Sequence, residues 1–227
     1  MDHPPDDDLR IDRSPATLRS LAVDRLRRAI IGGRFKGGER LIERTLCDQL
    51  GVSRSVVREA IRYLEAEGLV EAQGRSGPVV AVLDWAGARQ IYDIRRLLEA
   101  EAAAACARLA DTVVKDRLAA ALADLDRAFA DPAQTRLYAA STAFYEVIFT
   151  AAGQAIAWEI VQRLNGRISR LRALTLASTN RRVSGPAHMA RIAAAICAND
   201  PAAAARAVCA HLRDAADIAR QLLEDAK

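Results

Sequence analysis

The chain has 227 residues, 51% of them apolar and 27% charged, with a formal net charge of +4. That apolar share excludes a largely disordered polypeptide, and the length accommodates two ordinary domains. Aromatics contribute only 4%, so the apolar residues are mainly Ala, Leu, Val and Ile, a balance that favours helix, while the overall charge is too small to establish a nucleic-acid partner.

Residues 1–13 are rich in Pro and Asp without periodicity and read as a flexible tail. From Ala16 to Ile31, apolar residues at Leu18, Leu21, Ala22, Leu26, Ala29 and Ile30 recur at helical spacing and stop at Gly32-Gly33, which predicts a first helix. A turn-rich GGRFKGGER follows, then a short helix over 43–50, the turn Gly51-Val52-Ser53, and a further helix to about Glu67 with Ser53 as its N-cap. Two short β-branched runs within 68–83 flank Gly-Arg-Ser-Gly-Pro and predict a hairpin. Beyond Asp84 the signals are helical throughout, with predicted helices over 86–109, 113–130, 132–152, 155–178, 185–198 and 201–225. Asp131-Pro132 and Asp200-Pro201 each place a capping Asp before a Pro at the first helical position.

Two helices joined by a Gly-containing turn and followed by a hairpin form the layout of a winged helix-turn-helix, whose second helix enters the major groove. Winding the segment after Ser53 as a helix puts Val57, Ala60, Ile61 and Leu64 on one side and Arg54, Ser55, Arg58 and Arg62 beside them. Arg54 and Arg58 are the candidates for base contact, because the planar guanidinium bonds two acceptors on a guanine edge. Arg44, Ser53 and Ser55 suit phosphate contact, and Gly74-Arg75 forms the tip of the wing. From Leu9 to Val82 there are 14 Lys or Arg against nine Asp or Glu, so the basic excess is N-terminal.

The stretch LRRAIIGGRFKGGERLIERTLCDQLGVSRSVVREAIRYLEAEGLV resembles the DNA-binding domain of the GntR family of bacterial regulators, most specifically in LGVSRSVVREAIRYLEAEGLV. Val56 stands where many members carry Pro. The resemblance implies contacts to DNA from Arg44, Arg54, Arg58 and the Gly74 region. The second half, through IYDIRRLLEAEAAAACA, STAFYEVIFTAAGQ and PAHMARIAAAICANDPAAAARAV, resembles the FCD ligand-binding domain of the FadR subfamily, an antiparallel helical bundle. The expected architecture is therefore mainly α, with a winged helix-turn-helix over 14–83 and an all-α helical bundle for ligand binding and dimerisation over 84–227.

Many FCD domains hold a divalent metal through an Asp and a His one turn apart plus two later His. Here the corresponding positions read Ser141 and Tyr145, while His188 and His211 remain. Two readings follow. His188 and His211 hold Zn²⁺ or Ni²⁺ with water, weakly for want of protein ligands. Alternatively, Tyr145, Ser141, His188 and His211 line a metal-free pocket that hydrogen-bonds an organic acid, with Arg95 supplying positive charge. Arg95 lies four residues before Glu99 and equally suits a structural ion pair.

The expected function is a regulator whose operator binding is controlled by a small-molecule effector, a carboxylate by preference. A homodimer is expected because one helix-turn-helix covers half a site. An enzyme is not expected, since nucleophile elbow and phosphate loop are missing, and a ligand-independent architectural DNA binder would leave the large helical half without a role. Cys47, Cys106, Cys197 and Cys209 follow no finger spacing and read as reduced. The opening residues lack an apolar segment and no run approaches a membrane span, so a cytoplasmic protein without membrane contact is expected.

Overall fold

Leu18–Ile31 winds into the first helix, α1, because Ala22, Val23, Leu26 and Ile30 fall on one face and all become buried. The computed structural model describes residues 18–74, 77–131 and 136–225. Helix α2 (Glu43–Leu50) ends at Gly51, whose left-handed φ of 66° lets its N–H reach Cys47 O. A side chain there would be strained, so glycine makes the tight turn. Helix α3 (Arg54–Ala66) follows at once, with Ser53 as N-cap, and buries Val57, Ala60, Ile61 and Leu64. Strands β1 (Val70–Gln73) and β2 (Gly77–Val80) then form an antiparallel hairpin with Val70 opposite Val80. An additional bridge between Arg40 and Val79 ties the segment before α2 to the free edge of β2. These elements close on one core around Leu26, Ile30, Leu41, Leu46, Leu64, Leu69 and Val80.

A second core belongs to the helices that follow. Helix α4 (Trp85–Leu109) starts at Asp84, whose carboxylate accepts from Gly87 N at 2.8 Å. Its buried Ala102, Ala103, Cys106 and Ala107 and the equally small Ala204, Ala215 and Ala219 of α10 (Pro201–Glu224) belong to one core, in which the two long helices pack closely side by side. Around them lie α5 (Thr112–Ala130), α6 (Leu137–Ala151), α7 (Ala155–Arg167), α8 (Ser169–Ala177) and α9 (Thr179–Cys197). Asp111 and Asp200 cap α5 and α10, each accepting a backbone N–H at 2.9 Å. The chain is thus mainly α, with a small two-stranded wing.

Two boundaries differ from those the sequence predicts by more than a residue or two. The helix predicted over 155–178 is broken at Ile168 into α7 and α8. At the break Gly166 lies so close to Glu67 that an added Cβ would sit 2.9 Å from the Glu67 carbonyl oxygen. Helix α9 begins at Thr179 rather than near 185 because Ser178 caps it, accepting from Arg181 N at 3.3 Å, and Pro186 lies inside the helix rather than at its start. Helix α6 is first seen at Leu137; the predicted start at 132 lies outside the described residues, as does the tail over 1–13. Cys47, Cys106, Cys197 and Cys209 are free thiols, and among the described residues no helix is long and apolar enough to cross a membrane.

Candidate DNA-reading face and effector cavity

Burying the apolar side of α3 leaves Arg54 and Arg58 projecting, their side chains 70% and 55% exposed. Arg44, the second residue of α2, is exposed on the neighbouring helix. Ser53 Oγ accepts from Val56 N at 3.5 Å and lies 2.9 Å from Ser55 Oγ, so both hydroxyls sit at the N-terminus of α3, where backbone N–H groups favour an anion. Gly74 follows β1 with a φ of 41° and is exposed at the hairpin end. Arg75 lies outside the described residues. Four of the sequence-derived candidates, Ser53, Arg54, Ser55 and Arg58, therefore lie at the start of α3, with Arg44 exposed on α2 and Gly74 at the hairpin end. Sequence reasoning missed Glu43, whose carboxylate accepts from Nε of both Arg54 and Arg58.

The helical half encloses a cavity of about 20 Å³ lined by side chains from α4, α6, α8, α9 and α10, room for about one water. Tyr92 and Arg95 come from α4, Ser141 from α6, Arg172 and Thr175 from α8, Arg181 from α9 and His211 from α10. Arg95 is buried and its Nε donates to Glu99 Oε1 at 2.7 Å. Burial works most strongly against the Arg95 cation, yet Glu99, Tyr92 and Tyr145 acting together hold the guanidinium above its ordinary range. Arg172, also buried, donates to the hydroxyls of Ser141 and Thr142, and its guanidinium carbon lies 4.7 Å from the centre of the Tyr138 ring. Among the described residues no carboxylate pairs with it, and burial pulls it below the usual guanidinium range.

Arg181 is the largest side chain buried to completion; its Nη1 is bonded to Asp214 Oδ2, and its Nη2 lies 2.7 Å from His211 Nδ1. The same Nη2 lies 3.1 Å from Nε2, and because a guanidinium only donates, one of the two ring nitrogens must accept, which requires a neutral imidazole. Burial, reinforced by Arg181 and Arg95, drives His211 well below the ordinary imidazole range. His188 stands one step outside the cavity, its Nε2 3.7 Å from Asp214 Oδ2 and its ring centre 5.9 Å from that of His211. Tyr145 is buried beside these groups with its hydroxyl unpartnered among the described residues, as is Glu99 Oε2, its electrostatic neighbour. Burial and the nearby Glu99 carboxylate push the phenol well above its ordinary range, so it stays protonated.

Ser141, Tyr145, Arg95 and His211 are thus brought together, and His188 lies at the margin. The donor set does not fit a divalent cation as it stands: Ser141 is engaged by Arg172, Tyr145 keeps its proton, and the Arg181 guanidinium takes the His211 lone pair. Arg172, Arg181 and Asp214 were absent from the sequence-derived site. The signal for Arg172 and Arg181 was available as charged residues at positions where the segment SRLRALTLASTNRR turns a helical face inward, but arginines are common throughout this chain.

Comparison with known proteins agrees with both halves. Residues 18–80 match the family described as "Bacterial regulatory proteins, gntR family", and residues 90–214 match the FCD domain. The HTH-type transcriptional regulator Mce2R of Mycobacterium tuberculosis is 31% identical over 221 residues, 85% of this chain and 89% of that protein. YdhC of Bacillus subtilis is 40% identical over 93 residues, 41% of each chain, so the similarity spans less than half of that relative. McbR/YncC of E. coli shares the fold, with a TM-score of 0.76 at 21% identity over 92% of this chain and 99% of that one. The chain belongs to the GntR family of bacterial transcriptional regulators, with an FCD domain following its DNA-binding domain.

Proposed function

We propose that this regulator is of the FadR type, that it binds a pseudo-palindromic operator duplex as a homodimer, and that a small organic anion entering the helical cavity changes its grip on DNA. The observation that carries the effector class is Arg172, a buried guanidinium without a carboxylate partner among the described residues. Burying a charge is costly unless it is paired. Around the cavity the three guanidinium groups of Arg95, Arg172 and Arg181 face the two carboxylates of Glu99 and Asp214. One negative charge on a ligand balances the set, and a carboxylate matches the fork of Arg172.

The cavity is too small for such a ligand without rearrangement, and α8 is the element that responds. It contributes Arg172 and Thr175 to the cavity, while Leu171 and Leu174 on the same helix face Ile30, Leu69 and Val80 across an apolar cleft. An anion that repositions Arg172 therefore shifts the packing of α8 against the DNA-binding half, and differential affinity for two such arrangements is all that effector control requires. The two-fold symmetry of an operator supplies the reason for a dimer.

A metal-sensing version has one observation in its favour: Asp214, which the sequence comparison of ligand positions did not include, joins His188 and His211. It requires Arg181 to withdraw. The test is fluorescence anisotropy of a duplex selected by the protein from a randomised pool, titrated with small mono- and dicarboxylates with and without added zinc or nickel. A metal-independent response to a carboxylate that is lost in Arg172→Met supports the anion reading; a response seen only with metal replaces it.

A further inference from the structure

We propose that Glu43 is a specificity-determining residue of the DNA-reading face: its carboxylate bridges Arg54 and Arg58, fixes the pair for base contact, and reduces their combined attraction for phosphate. The proposal rests on the reading that Arg54 and Arg58 meet the operator. Glu43 Oε2 accepts from Arg54 Nε at 2.7 Å, and Oε1 and Oε2 accept from Arg58 Nε at 2.9 and 3.1 Å. Both bonds use Nε, the inner nitrogen. The outer Nη groups of both arginines are therefore the ones turned away from Glu43, and these are the donors that a guanine edge needs.

Glu43 is itself well placed to hold this position. It opens α2, where the helix N-terminus favours a carboxylate, and its side chain is only 23% exposed although the two arginines it holds are largely in solvent. Hydrogen bonds from Arg54 and Arg58 hold its carboxyl below the usual carboxylate range, so it remains charged at neutral pH. Free in solvent, two long arginines sample many rotamers, and a shared partner that restricts them before DNA arrives lowers the ordering cost of binding. The second consequence is electrostatic. Two arginines alone present two positive charges to any phosphate, whereas the bridged trio presents one, so non-specific backbone binding is weakened while hydrogen bonding to base edges is kept.

The test uses the full chain and two duplexes of equal length, one selected by the wild-type protein from a randomised pool and one scrambled. Affinities of wild type, Glu43→Gln, Glu43→Asp, Arg54→Ala and Arg58→Ala are measured across a salt series, with thermal unfolding of each variant as a control. Glu43→Gln is expected to bind the scrambled duplex more tightly, with a log–log salt slope steeper by about one. Its discrimination between the duplexes is expected to fall by roughly tenfold. Glu43→Asp keeps the charge but is one methylene shorter, so it is expected to leave scrambled binding unchanged and weaken binding to the selected duplex. If both Glu43 variants discriminate as wild type does while the arginine variants lose discrimination, Glu43 has no such role. Equal weakening on both duplexes with a lowered Tm would mark a purely structural residue and also overturn the proposal. Retained discrimination in both arginine variants would instead remove the recognition-helix reading on which it rests.

Discussion

Arg181 of α9 places its Nη2 2.7 Å from Nδ1 and 3.1 Å from Nε2 of His211 on α10, so a cation and an imidazole that would repel if both were charged share a contact that requires a ring nitrogen free to accept. Asp214, one turn beyond His211, takes the other side of the same guanidinium and also accepts from Ser184 Oγ at 2.8 Å. The three groups lock α9 to α10 beside the cavity and bear directly on how the protein responds to acid, metal and ligand.

The first consequence is a pH dependence of stability. His211 is held well below its ordinary range in the folded state, by burial first and then by Arg181, so the unfolded chain binds the extra proton more readily. Stability is therefore full above the unfolded value near pH 6.5 and falls as the pH drops below it, by up to about 1.4 kcal/mol per pH unit for one proton. His188, lowered by its burial and by Arg181 and Arg191 despite Asp214, acts in the same direction. Urea unfolding between pH 7 and pH 5.5 should show the decline, and His211→Asn should flatten it. A slope unchanged by that substitution would assign the acid sensitivity elsewhere.

Metal content separates the two readings of the histidines. Protein purified without chelator is expected to carry no stoichiometric zinc or nickel, because Arg181 occupies the space among His188, His211 and Asp214. Arg181→Ala is expected to admit zinc, since it leaves two imidazoles and a carboxylate, a ligand set familiar for that ion. Elemental analysis of both proteins after zinc exposure is the measurement. About one metal per chain in the wild type would show that Arg181 yields to the ion.

Two substitutions, one in the cavity and one beside it, separate stability from response. The Tyr145 hydroxyl is buried without a partner among the described residues, so Tyr145→Phe is expected to leave stability unchanged or raise it slightly. Arg172→Met removes a buried cation that no carboxylate pairs with among the described residues and is likewise expected to be tolerated. Both should retain operator binding and lose the response to effector, as read by anisotropy. Normal responses in both would place the effector elsewhere.

On the DNA-reading face, Arg54→Ala or Arg58→Ala is expected to cost roughly 1–3 kcal/mol at a matched operator and to leave the fold intact, because both side chains are mostly in solvent. Arg44→Ala should weaken matched and unmatched duplexes alike and reduce the salt slope by about one. Binding isotherms at several salt concentrations distinguish the two behaviours.

The N-terminal half was largely legible in the sequence because its signals are local. Helical spacing fixed Ala22, Leu26 and Ile30 as core, Gly51 marked the turn, Ser53 marked the start of α3, and the arginines of α3 were exposed wherever its apolar side was buried. The bridge between Arg40 and Val79 was not legible, since pairing across that distance in the chain leaves no periodic trace in a segment rich in turn residues. In the helical half the Asp caps at 84, 111 and 200 depend only on nearby residues and set three helix starts.

By itself, then, the sequence determined the elements, the sides of them that are buried, and the placement of Arg54 and Arg58 beside one another, because each depends on residues within a turn or two of the chain. Only the tertiary structure decided which charges meet. Arg172 reaches Ser141 from another helix, Arg181 reaches His211 and Asp214 across the α9–α10 interface, and Glu43 crosses from α2 to hold two arginines of α3. Such contacts are chosen by how helices pack, and the composition of each helix gives no measure of the distance or burial at which a charge will find its partner.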